Sequence, residues 1–303
     1  MSVVLFLNLK GGVAKTTNAV AIAECLASSG KSTLVIDADH QCTATEVLLG
    51  ESRMEQLETS KRTLHDLFLE MMKPNFKPSR FDAFVADRAS NIQGGLEHLS
   101  VIPCSVRIND IATRLRSHYK DLGPEKLKSV LQSNRYQFQR WLESNYDYTI
   151  VDCPPSLSFQ VKQLLQVSTG YVVPCQPNRL SLRGADWLCK KLYRDGFRRS
   201  ALGTLWSMCR VQDSRQVEVM EQAKHGRFGD HRFPTPFETV VPMRSAIAHA
   251  VDTVWEPASS IRDKYDSEFY PLFVQLANEI ITRADEQAGT IMGVEKQLDL
   301  VEV

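Results

Sequence analysis

The sequence predicts an α/β protein, a mostly parallel, twisted, doubly wound sheet with helices on both faces. Three observations carry that expectation. Short, nearly continuous apolar runs recur along the 303 residues, and such runs suit strands buried on both faces. Stretches of helical periodicity alternate with them, the order that winds helices onto a parallel sheet. Hydrophobic residues make up 43% and charged residues 24%, the proportions of an ordinary globular chain whose core needs no disulfide or metal.

The elements follow in order. A first strand is expected over residues 3–7, Val-Val-Leu-Phe-Leu. After a glycine turn comes a helix from Thr16 to about Ser29, which Gly30 closes. A second strand, 33–36, ends on Asp37. Further strands fall at 99–102, 148–151, 170–173 and 203–206. Residues 51–97 interrupt the rhythm with an amphipathic helix from Thr63 to Leu69 and a Pro- and charge-containing stretch. They read as an elaboration on the sheet, inside a single domain of residues 1–285. Periodicity fades beyond that, and 286–303 read as an acidic tail.

Composition excludes several function classes. Apolar runs stop at about five residues, far short of the ~20 that cross a bilayer. No basic stretch precedes the first run, so it makes a poor signal peptide. The seven cysteines are odd in number and include no CxxC pair, so they read as reduced cytosolic thiols rather than a disulfide framework or a zinc or iron–sulfur site. The histidines are scattered, and no resident metal cluster is expected.

The chemistry concentrates between the first strand and the first helix, at Lys10, Gly11, Gly12, Val13, Ala14, Lys15, Thr16 and Thr17. Glycines let the backbone turn tightly and aim its N–H groups inward. The helix that follows presents free N–H groups and a positive dipole end to the same anion. Lys15 can reach the β- and γ-phosphates of a nucleotide, and the Thr16 hydroxyl can ligate Mg²⁺. The ordinary pattern would put glycines at positions 9 and 14, where this chain has Leu9 and Ala14. In their place it has an early lysine, Lys10.

Two acidic stations follow. Asp37 and Asp39 sit two residues apart at the end of a strand and so point to one face, and Asp39 lies 24 residues after Lys15. Asp152 ends the strand Tyr148, Thr149, Ile150, Val151 and is followed by Cys153, Pro154, Pro155 and Ser156. A buried strand ending in a carboxylate is the arrangement that supports Mg²⁺ beside a phosphate loop.

Taken with Lys10, these segments resemble the deviant Walker A, DxDPQ and DCPPS segments of the ParA/MinD family of partitioning ATPases. The resemblance covers most of residues 1–285 and implies a three-layer P-loop NTPase fold that takes ATP and Mg²⁺. It implies that Lys10 reaches across a nucleotide-sandwich homodimer, that Asp39 positions the attacking water, and that Asp37 lies near the Mg²⁺ that Thr16 and Asp152 hold. It places the adenine near Pro174, Met208 and Pro242. This chain departs at Ala14, where the family has glycine, and at His40, where it has proline.

Lys+Arg and Asp+Glu balance at 36 each, but the balance is a cancellation. Residues 179–200 carry seven basic side chains against two acidic, and residues 252–303 carry four basic against eleven acidic. Lys190, Lys191 and Arg194 at helical spacing, continued by Arg198 and Arg199, form a stripe suited to phosphate backbones without base reading. The family's partitioning members bind DNA nonspecifically, so the resemblance favours DNA here, with a ParB-like or cargo-adaptor protein stimulating slow hydrolysis. It also implies a cytoplasmic, nucleoid-associated protein. An acidic C-terminus argues against membrane attachment. The alternative is a regulatory or metabolic ATPase, or a nucleotide switch, of the same fold with no DNA role.

Overall fold

The computed structural model describes residues 1–197, 200–210, 212–252 and 257–299. Its strands are β1 (Ser2–Phe6), β2 (Thr33–Asp37), β3 (Ala86–Asp87), β4 (Leu99–Ile102), β5 (Tyr148–Asp152), β6 (Gly170–Cys175), β7 (Ser200–Trp206), β8 (Arg227–Phe228) and β9 (His231–Arg232). The helices are α1 (Lys15–Ser28), α2 (Thr43–Leu49), α3 (Glu51–Thr59), α4 (Leu64–Met71), α5 (Ile111–Leu122), α6 (Pro124–Asn145), α7 (Phe159–Val167), α8 (Arg179–Arg194), α9 (Ser214–Ala223), α10 (Ser245–His249), α11 (Ile261–Lys264) and α12 (Asp266–Asp299). Strands β1 to β7 form one sheet in the order β3-β4-β2-β5-β1-β6-β7, and β8-β9 is a small hairpin. Every pair in the large sheet is parallel except β3 with β4.

All six expected strands are present, within a few residues of their expected ends. Their apolar continuity has the expected cause, because side chains alternate between two buried layers. Val3, Leu5 and Leu7 join the core beneath α4, α6, α7 and α8, whereas Val4 and Phe6 join the core beneath α1 and α12. Helix α1 ends as expected. Gly30 has φ +81°, and its N–H bonds the Ala27 carbonyl while that of Lys31 bonds Leu26, a left-handed closure that favours glycine.

The elaboration docks on the β4 edge. Thr63 and Asp66 form a reciprocal capping box at the start of α4. Phe81 packs on Phe76, Phe138 and Trp141 with ring centroids 4.9–5.4 Å apart, tying residues 76–84 to α6. The antiparallel edge strand β3 went unforeseen, since two residues show no periodicity. Arginines cap carbonyls of β3 and of the residues leading into it. Arg62 donates to Ala83 and Val85, and Arg53 to Asp87, which blunts an otherwise open edge.

The C-terminal segment is helical. Helix α12 continues to Asp299, past the point where a tail was expected at 286. Among the described side chains its last core residue is Ala284. Among the described residues no helix is long and apolar enough to cross a membrane.

Candidate active site

Register brings the acidic stations to the phosphate loop. In the parallel sheet Phe6 pairs with Asp152, and Asp152 pairs with Asp37. The C-terminal ends of β1, β5 and β2 therefore lie side by side, each releasing one part of the site. That is where ligands collect in open α/β sheets.

The loop leaves β1 through Asn8, whose side chain donates to the Pro174 carbonyl (2.6 Å) and accepts from Lys10 N–H (3.0 Å). Gly12 has φ +68°, and Ala14 is left-handed as well, with φ +56°. A methyl group disfavours that conformation, so Ala14 holds a geometry suited to glycine. Gly11 and Gly12 have open space where a Cβ would stand. Lys15 is buried, and its ammonium donates to the Lys10 carbonyl (3.3 Å). Burial lowers its pKa, opposed by the nearby carboxylates of Asp152 and Asp39. Lys10 lies in cis against α8, with its ammonium 3.2 Å from Ser181 Oγ and 3.5 Å from Gln176 Oε1.

The carboxylates form a buried acidic wall opposite Lys15. Thr16 Oγ1 donates to Asp152 Oδ2 (2.6 Å), while Asp152 Oδ1 is buried with no hydrogen-bond partner. Asp37 accepts from the backbone and hydroxyl of Thr45 (2.9 and 2.6 Å) and from Asp39 N–H (3.0 Å). Burial pushes Asp37 up to about 6 despite those bonds. Burial also pushes Asp152 well above the usual carboxylate range, reinforced by Asp37 and opposed by Thr16. Two buried carboxylates in adjacent register, an orphaned carboxylate oxygen and a hydroxyl make an all-oxygen donor set that fits a hard divalent cation such as Mg²⁺. Asp39 is partly exposed at the mouth, and His40, in place of proline, sets its Nδ1 3.2 Å from Asp39 Oδ1.

Beside the loop opens a cleft of about 780 Å³ between α1 and the β7 end, lined in part by Ala14, Thr17, Met208, Arg210, Pro242 and Arg244. Met208 and Pro242, two of the three residues expected near an adenine, line this cleft. Pro174, the third, lies outside its lining. It is buried in β6, pairs in register with Leu205, and offers only its carbonyl, to Asn8. Three residues left unassigned by the sequence, Asn18, Ser207 and Gln176, tie the loop to the β7 end. Asn18 donates to the Ala14 carbonyl (2.6 Å) and to Ser207 Oγ (2.9 Å). Gln176 donates to the Gly12 carbonyl (3.4 Å) and to Met208 Sδ (3.7 Å). Asn18 carried a signal, as the lone uncharged polar side chain in the run from Asn18 to Ala23.

The basic stripe is less free than its spacing suggests. On α8, Lys190 pairs with Asp186 (2.8 Å) and Lys191 with Asp195 (3.1 Å), and Arg194 Nε donates to the Lys190 carbonyl. Arg198 and Arg199 lie outside the described residues. The same helix exposes Leu180, Trp187 and Tyr193.

Comparison with known proteins agrees with this architecture. The family model described as an AAA domain matches residues 1–195. The chain is 26% identical over 293 residues to the chromosome partitioning protein ParA of Caulobacter vibrioides, covering 95% of this chain and 97% of that one. Two solved structures share the fold. One is cobyrinic acid a,c-diamide synthase from Mycobacterium smegmatis with bound ADP and magnesium, at TM-score 0.64 and 19% identity, covering 92% and 93% of the two chains. The other is pNOB8 ParA bound to nonspecific DNA, at TM-score 0.64 and 21% identity, covering 94% and 99%. The chain therefore belongs to the AAA domain family and is of the ParA/MinD type that its phosphate loop resembles.

Proposed function

We propose that this protein is a ParA-like ATPase that binds ATP with Mg²⁺, dimerises around the nucleotide, holds DNA without sequence preference, and is discharged when a ParB-like or cargo-adaptor partner stimulates hydrolysis. The observation that carries this reading is the convergence of Lys15, Thr16, Asp37 and Asp152 at three adjacent strand ends, beside a nucleotide-sized cleft. The ParA of Caulobacter and the DNA-bound pNOB8 ParA support the partitioning and DNA parts.

In this reading the loop N–H groups and Lys15 bind the phosphates, while Met208 and Pro242 flank the base. Bound Mg²⁺ neutralises phosphate charge and fixes its oxygens. Thr16 and Asp152 would hold it, with Asp37 behind them. Asp39, held at the mouth by its contacts with Gln41 N–H and His40, orients the attacking water. Lys10 leaves Ser181 and Gln176 to reach the partner's nucleotide.

A second reading, an ATPase of the same fold with no DNA role, is favoured by one observation, the pairing of Lys190 and Lys191 with acidic neighbours on their own helix. Asp39→Ala separates the two. The DNA reading expects this variant to bind ATP, persist as a dimer and stay on random-sequence DNA, with an affinity that falls about tenfold or more between 50 and 200 mM salt. An ATP-bound dimer with no affinity for DNA at low salt would leave only the second reading.

A further inference from the structure

The nucleotide cleft is built from two segments that no strand pairing joins, the phosphate loop and the β7 end with its following residues. Each contains a non-glycine residue in the left-handed region, Ala14 at φ +56° and Met208 at φ +55°. Neither has a side chain that favours this geometry, so something must hold them. One fully buried side chain touches both segments. Asn18, 0% exposed in the first turns of α1, donates one amide hydrogen to the Ala14 carbonyl (2.6 Å) and the other to the hydroxyl of Ser207, next to Met208 (2.9 Å).

The orientation of this carboxamide is settled by its partners. A turned-over amide would press its oxygen against the Ala14 carbonyl oxygen, two acceptors with no proton between them. Asn18 Oδ1 is instead buried with no hydrogen-bond partner, an arrangement that is unfavourable by itself. It is tolerated here because both amide hydrogens are used. The Ala14 carbonyl already accepts the Asn18 backbone N–H (3.1 Å), so the side chain adds a second clamp on the same oxygen. Ser207 is anchored in turn through its N–H to the Cys175 carbonyl (2.9 Å). Asn18 is thus a pin between the segment that faces the phosphates and the segment that faces the base.

We infer that Asn18 is a positioning residue for nucleotide binding. It holds Ala14 in the left-handed conformation that aims the phosphate loop, and it sets that loop in register with the base wall at Ser207 and Met208. The pin matters because position 14 carries a methyl group. With glycine there, the left-handed geometry would need no clamp, and Asn18 would keep only its tie to Ser207. The inference rests on the reading of the cleft as an ATP site.

The test is a double-mutant cycle on the full chain with a fluorescent ATP analogue and Mg²⁺, reading Kd and the thermal midpoint for wild type, Asn18→Ala, Ala14→Gly and the double variant. Asn18→Ala should weaken the analogue about tenfold, the effect of losing roughly 1.4 kcal/mol of binding. In the Ala14→Gly background the same change should weaken it no more than about threefold, because the cycle reports coupling between the sites. Asn18→Leu fills the same volume without donors and should reproduce the alanine result, so a poorly folded alanine variant leaves the question answerable. Equal losses in both backgrounds, or full affinity in Asn18→Leu, would overturn the inference. Failure of the wild type itself to bind the analogue would instead count against the ATP reading.

Discussion

Ala14 shows how one residue can be conspicuous in a sequence while its meaning stays hidden. Its departure from glycine is plain in the motif, but only the backbone shows that it occupies φ +56°. Ala14→Gly should raise stability by about 0.5–1 kcal/mol, or roughly 1–3 °C in the midpoint of a thermal melt. A lowered midpoint would mean that the loop does not hold this geometry in solution. Asp66 carries a second prediction at the same scale. Burial alone would raise its pKa, but the His65 imidazole 3.4 Å away and hydrogen bonds from Arg107 and Thr63 outweigh it and hold the carboxyl well below the usual range. A folded-state pKa below the unfolded value stabilises the protein above the ordinary carboxylate range, and that stability is lost as pH falls through it. Urea midpoints should therefore favour wild type over Asp66→Asn at pH 6, with the gap shrinking steadily by pH 3. A gap independent of pH would contradict the assignment.

At the scale of elements, the longest-range connection is also the least legible. Glu24 reads in the sequence as an ordinary polar residue on a helix, yet its carboxylate is fully buried. It accepts from Lys264 (2.7 Å), Tyr265 (2.5 Å) and Ser90 (2.6 Å). The cluster pins the phosphate-loop helix α1 to α11 and to the loop before β4. Lys264 and Tyr265 lie about 240 residues away and Ser90 lies 66, beyond any local periodicity. Lys264→Met should cost about 3–5 kcal/mol in chemical denaturation, because it leaves an unpaired buried charge, and adding Glu24→Gln should recover much of that loss. Additive losses would mean that the two groups do not act as a pair. The basic stripe shows the opposite case. Spacing made Lys190 and Lys191 look available, but acids four residues away on the same helix, Asp186 and Asp195, engage both. A charge count along a segment does not register such pairs.

Across the whole molecule, the strands and the order of the site's parts were legible because a parallel sheet leaves a strong local imprint. Each central strand is a nearly continuous apolar run, and Asp37 and Asp152 stand out as charges at the ends of such runs. What brings them together is register, Phe6 beside Asp152 beside Asp37, and register is a property of pairing that no single strand displays. The edge strand β3 and the cleft wall at Arg210 were illegible for the same reason, since short segments gain their roles only from their neighbours. The phosphate loop and its two acidic stations are held together by that one feature of the sheet. Its most direct test is equilibrium binding of a fluorescent ATP analogue to wild type and Lys15→Ala, with Mg²⁺ and with the metal chelated. The predicted result is tight binding by wild type with Mg²⁺, weakened at least about tenfold by Lys15→Ala and weakened again by chelation. Equal binding by both proteins, indifferent to Mg²⁺, would contradict the assembly of a nucleotide site at these three strand ends.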